Sequence, residues 1–92
     1  MLDEPYRSTP IFDEVTLPKA LRRDHRTKVG TWGLIRVLRG TLKLAILEPP
    51  REILVTRGAP AVILPEQTLF VEPMGPMEMQ IDFFDHLPPP GE

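Results

Sequence analysis

The sequence predicts an all-β barrel or sandwich, and three observations predict it. Short runs alternate apolar and polar residues at the period of a strand. Turn signals recur between those runs: Arg39-Gly40, Arg57-Gly58, Pro65-Glu66-Gln67 and Pro73-Met74-Gly75-Pro76. Twelve prolines are spread along 92 residues, more than twice the average share of about 5%. Close-spaced strands divided by turn signals read as a sandwich or barrel. Spread prolines exclude long helices, so at most one short helix is expected.

Residues 1 to 10 read as an irregular arm, and Ile11 to Val15 as a first edge strand. Leu17-Pro18 is a turn or a short helical start, because Pro18 suits a first helical position. Ala20 to Thr27 reads as extended. One face of it carries Leu21, Arg23, His25 and Thr27, and the other carries Arg22, Asp24, Arg26 and Lys28. Gly30 and Gly33 bracket Thr31-Trp32 and suggest a bend. Leu34 to Leu38 is apolar on both faces, and Gly40 turns it into Thr41 to Leu47, where Leu42, Leu44 and Ile46 point one way. Glu52 to Thr56, Ala61 to Leu64 and Thr68 to Glu72 follow as short strands. Met77 to Phe84 alternates again, with Met77, Met79, Ile81 and Phe83 on one face. The Pro-rich tail, residues 86–92, reads as disordered or polyproline-like.

The length fits one domain spanning residues 1–92, and so small a core is thin. A homodimer is expected from that thinness and from an arm long enough to lie across a partner. The net charge of −2 and the lack of a long basic run argue against nucleic acid. With no cysteine there is no disulfide, thiolate metal site or Cys nucleophile. The acidic, proline-broken start is unlike a signal peptide, and no window approaches the roughly 18 apolar residues of a membrane span. The expected compartment is the cytoplasm.

Gly58 to Pro73, GAPAVILPEQTLFVEP, resembles the second conserved motif of the cupins, small double-stranded β-helix (jelly-roll) barrels. His25 to Gly40, HRTKVGTWGLIRVLRG, stands where the first motif belongs. YRSTPIF, HRTKVGTWG, the PEQ turn, VEPMGP and the closing IDFF are similar, in order and spacing, to the tellurite-resistance-associated, TehB-type cupin domain. The resemblance covers nearly the whole chain. It implies a jelly-roll barrel, often dimeric, often with a divalent metal such as Mn, Fe or Zn in its mouth. The family occurs alone and fused ahead of a methyltransferase domain. The first cupin motif usually carries His-x-His and a later carboxylate; here the pair is His25-x-Thr27 and no acid follows before Gly40. Relatives tend to place a histidine three residues after the Glu of the PEQ turn, and that position is Leu69. The site is therefore expected to be weakened.

The candidate pocket comprises His25, Thr27, Thr31, Trp32, Glu66, Leu69 and Asp82, with His25 and Glu66 as the metal ligands. A neutral imidazole binds cations and titrates near physiological pH; otherwise His25 is a half-exposed residue bonded to a neighbour such as Asp24. Glu66 is a rim ligand or base, or a solvated turn residue. A buried Asp82 needs a cation, donors or a metal; otherwise it belongs to a solvent face with Glu78 and Gln80. Trp32, Phe70 and Phe84 line a pocket or fill the core. Three functions follow: a small-molecule or oxyanion binder in a tellurite-resistance-like stress response, with Arg26, Lys28 and Arg36 as a positive edge; a metal-dependent cupin enzyme; or an interaction module whose site has decayed, plugged by Leu69 and Phe70.

Overall fold

The computed structural model describes residues 5–23, 25–48 and 50–88. Nine strands run through them: β1 (Arg7–Ser8), β2 (Phe12–Asp13), β3 (His25–Arg26), β4 (Trp32–Arg39), β5 (Leu42–Leu47), β6 (Pro50–Val55), β7 (Ala61–Ile63), β8 (Thr68–Pro73) and β9 (Glu78–Phe84). They make two sheets. One has the order β1-β9-β4-β7, with β2 also on β9; the other has the order β3-β8-β5-β6. Every pairing is antiparallel.

Alternation decides what each strand buries. Ile35 and Val37 of β4, Met79 and Ile81 of β9, and Ala61 and Ile63 of β7 point from one sheet into the core. Leu42, Leu44 and Ile46 of β5, Leu69 and Val71 of β8, and Val55 of β6 meet them from the other. Leu17 and Leu21 join the same cluster from the segment ahead of β3. Gly40 turns β4 into β5 at φ +79°, and a Cβ there would collide with the Pro76 carbonyl and lie 2.9 Å from Met77 Cα. Only glycine fits that turn.

Four expectations are corrected. Ala20 to Thr27 is not continuously extended: Lys19–Leu21 is a single 3-10 turn, and β3 is two residues long. That turn delivers Leu21 to the core, while Asp13 caps the preceding one by accepting N–H bonds from Val15 and Thr16, both at 2.8 Å. Those donors, Thr16 foremost, hold the Asp13 carboxyl below its usual value. The arm is not irregular throughout, because Arg7 pairs with Phe83 and Ser8 with Asp82 along the free edge of β9; Met1 to Glu4 lie outside the described residues. β6 begins at Pro50 rather than Glu52, so part of the expected loop is strand. In the tail His86 and Leu87 are exposed but Pro88 is fully buried, and residues 89–92 lie outside the described range, as does Asp24. Among the described residues no helix is long and apolar enough to cross a membrane.

Candidate functional site

A cavity of about 170 Å³ opens between the β1–β9 edge of one sheet and β3 of the other. β3 brings His25 and Arg26 to it. The turn after β3 brings Lys28 and Thr31, closed by a bond from Thr31 N–H to the Lys28 carbonyl at 3.1 Å. Gly30, at φ +74°, permits that turn. β1 brings Arg7, and the residue before it, Tyr6, brings a phenol whose oxygen is 3.5 Å from Thr31 Oγ1. Phe83 of β9 forms an apolar wall, with the Arg7 guanidinium 5.2 Å from its ring centroid, within cation–π range. Arg7, Arg26, Lys28 and His25 thus border one cavity, and among the described residues no carboxylate lines it.

The seven residues proposed from sequence are divided by this geometry. His25, Thr27 and Thr31 line the cavity. Thr27 is spent on structure. Its hydroxyl donates to the Leu64 carbonyl at 2.6 Å and accepts from Gln67 N–H at 3.0 Å, bridging the turn between β7 and β8. Leu69 lies directly across from His25 and is only 1% exposed, so it closes the interior beside the imidazole. Trp32 pairs with Phe84 and Leu34 with Asp82, on the face of β4 and β9 turned away from the core. Asp82 therefore does not meet His25. Its oxygens accept from Arg36 Nε at 2.6 Å and Ser8 Oγ at 2.7 Å. Arg36, expected at the rim, is spent there as well.

Glu66 sits at the tip of the Pro65-Glu66 turn with φ +59°. It is not among the residues lining the cavity; it lies 3.7 Å from Arg26, on the other face of β3 from His25. His25 lines the cavity and Glu66 does not, although Glu66 reaches Arg26 at its border, so the pairing of His25 with Glu66 as metal ligands gains no support from this geometry. Among the described residues no three His, Cys, Asp or Glu side chains converge, and the cation-rich lining repels a divalent metal. The residues do not fit that cofactor.

Three wall residues were not singled out by the sequence: Tyr6, Arg7 and Phe83. Two-residue strands have no period to read, and Arg7 reaches Phe83 across 76 positions of chain. The alternation of β9 placed Phe83 on the face of Met79 and Ile81 but not beside a cation.

Residues 7–81 match the TehB-like domain family. The chain belongs to the TehB-like family. It is 36% identical over 69 residues to the probable S-adenosyl-L-methionine-dependent methyltransferase TehB of Haemophilus influenzae (strain ATCC 51907 / DSM 11121 / KW20 / Rd), which covers 74% of this chain and 23% of that protein. The crystal structure of TehB from Haemophilus influenzae matches with a TM-score of 0.79 at 30% identity, over 86% of this chain and 30% of that one. A crystal structure of a protein from E. coli (strain K12) matches with a TM-score of 0.79 at 29% identity, over 97% of this chain and 99% of that one. The TehB-like chain thus spans less than a third of TehB itself and nearly all of the E. coli chain.

Proposed function

We propose that this TehB-like chain is an oxyanion-binding module. The observation that carries the reading is the cavity bordered by Arg7, Arg26, Lys28 and His25, with the hydroxyls of Tyr6 and Thr31 and, among the described residues, no carboxylate in its lining. Clustered cations at a small concave site attract an anion, and N–H and O–H donors hold its oxygens by charge-assisted bonds. Its volume of about 170 Å³ suits an anion of a few heavy atoms, such as tellurite or selenite, in a tellurite-resistance-like stress response. The methyl transfer named for TehB belongs to a protein of which this chain matches 23%, so we assign this chain the capture of the anion and not the transfer. A metal-dependent reaction through His25 and Glu66 is not part of the proposal.

We propose that the two sheets form a cupin jelly roll. Support comes from the strand orders, in which early and late strands alternate within each sheet, as two interlocked Greek keys require. We also propose a homodimer, supported by the small size of the core and the frequency of two-fold assemblies; the arm, part of which pairs with β9 of its own chain, does not support it. A species of about 10 kDa alone in sedimentation at micromolar concentration would remove it.

The binding test is an amide chemical-shift titration of chelator-treated protein with selenite and tellurite, against chloride at matched ionic strength. Saturable shifts at Arg7, His25, Lys28 and Thr31, weakened by added salt, are expected. Their absence would leave a second reading, an interaction module with a decayed site, which Leu69 favours by filling the interior beside His25.

A further inference from the structure

Along the inner face of the second sheet, four positions lie in register: His25 opposite Leu69, Leu69 opposite Ile46, and Ile46 opposite Arg51. Leu69 and Ile46 are buried and divide the interior. His25 stands at one end of this row, in the cavity already described. Arg51 stands at the other, in a separate cleft of about 410 Å³. That cleft lies between β6 and β7, each the last strand of its sheet. Ile46, Ile53, Ala61 and Leu64 give it apolar walls, and Arg51 and Gln67 give it polar groups.

Arg51, itself exposed, lines this cleft beside apolar side chains, and among the described residues no carboxylate or carbonyl engages its guanidinium. Gln67 is fixed by its Oε1, which accepts from Leu64 N–H at 3.0 Å; its amide NH2 remains available as a donor. A cleft of several hundred Å³ that sets apolar side chains beside a few fixed polar groups is the form of a small-molecule site. The polar groups here are a cation and a neutral donor. One guanidinium matches one carboxylate in a two-bond fork, whereas a doubly charged head would leave a charge unmatched against apolar walls.

We propose that the cleft between β6 and β7 is a second binding site, which takes a small monocarboxylate with an aliphatic or aryl body, held by Arg51. An inward-pointing charge on an edge strand also discourages edge-to-edge pairing between molecules, and the test separates the two roles. The proposal concerns a different cavity from the oxyanion reading and stands or falls without it.

The probe is octanoate, titrated into the full chain and followed by amide shifts, with octan-1-ol and octylammonium as comparison ligands. Octanoate should shift Arg51, Ala61, Leu64 and Gln67 in a saturable manner and leave Lys28 and Thr31 unmoved. Octan-1-ol should bind at least fivefold more weakly. Arg51→Gln should lose at least tenfold in octanoate affinity with an unchanged melting temperature, and Arg51→Glu should exchange octanoate for octylammonium. Equal octanoate affinity in wild type and Arg51→Gln overturns the proposal. So does an absence of saturable shifts in wild type together with self-association of Arg51→Gln, which would make Arg51 a guard of the strand edge.

Discussion

Asp82 and Phe83 are neighbours in β9, and their side chains point to opposite faces of one sheet. On the outward face, Asp82 accepts from Arg36 and Ser8, Arg36 also donates to Gln80 at 2.7 Å, and Gln80 donates to the Thr9 carbonyl at 2.8 Å. Charge is matched and each partner is occupied. On the inward face, Phe83 sits beneath Arg7 at a cavity lined, among the described residues, by three cations and no carboxylate. Both groups contain arginine and hydroxyls at a strand edge. The difference lies in whether the protein itself completes them. A polar group that the fold completes holds the fold together. One that the fold leaves incomplete is available to a ligand.

The largest effect should come from breaking the completed group. The Asp82 side chain is 8% exposed and that of Arg36 is 34%. Removing one member of a buried pair costs about 3–5 kcal/mol, and the partial solvation of Arg36 puts Asp82→Ala near the lower limit, about 3 kcal/mol. Denaturant unfolding measures it. Replacing both members, as Arg36→Met with Asp82→Leu, should recover most of the loss, because no unpaired charge remains. Neither change should alter oxyanion affinity. A parallel loss of affinity would join the two faces into one functional unit and end the comparison.

The converse substitutions belong to the cavity. Arg7→Gln and Lys28→Gln should each lower selenite affinity about tenfold, or about 1.4 kcal/mol, with melting temperatures unchanged. His25→Ala should reduce it less. A variant that lost stability but kept affinity would make the cavity structural and invert the assignment.

Much of the fold was legible because alternation and burial carry the same information. The run from Met77 to Phe84 put Met77, Met79, Ile81 and Phe83 on one face, and that face meets the core; the glycine-closed turn at Gly40 joined two strands whose pattern was plain. Asp82 shows the limit. Its even position in β9 placed it opposite Met79 and Ile81, yet a period of two cannot say whether the outward face meets water or is covered. Leu34, Phe84 and Asp82 on that face are all buried; the Ser8 hydroxyl reaches Asp82 there, and the His86 ring lies edge-on to Phe84 at 5.6 Å. Thr27 was placed correctly on the face of His25, but its duty to the Leu64–Gln67 turn depends on a contact across 37 positions of chain. The cavity itself is built from pieces with no local signature. Arg7 belongs to a strand of two residues, and long-range pairing alone determines what it faces.

The smallest effect expected is at Glu66, and it tests where the boundary between the two kinds of group lies. Its backbone is left-handed at φ +59°, which costs a non-glycine residue about 1–2 kcal/mol. The preceding Pro65 and the positive φ favour glycine at this place in the turn. Part of the relief is returned by the greater freedom of an unfolded glycine, so Glu66→Gly should gain about 0.5 kcal/mol. Glu66→Ala keeps the strain and should gain nothing. Both remove the carboxylate 3.7 Å from Arg26, a pair in which both side chains are more than half exposed and which is therefore worth at most about 1 kcal/mol. With that competitor gone, Arg26 is freer to meet an anion, and both variants should bind selenite about twofold more tightly. Stability and affinity then separate cleanly: glycine changes both, alanine only affinity. A loss of affinity in Glu66→Ala would instead show that the carboxylate serves the cavity by orienting Arg26, and Glu66 would move from the turn to the site.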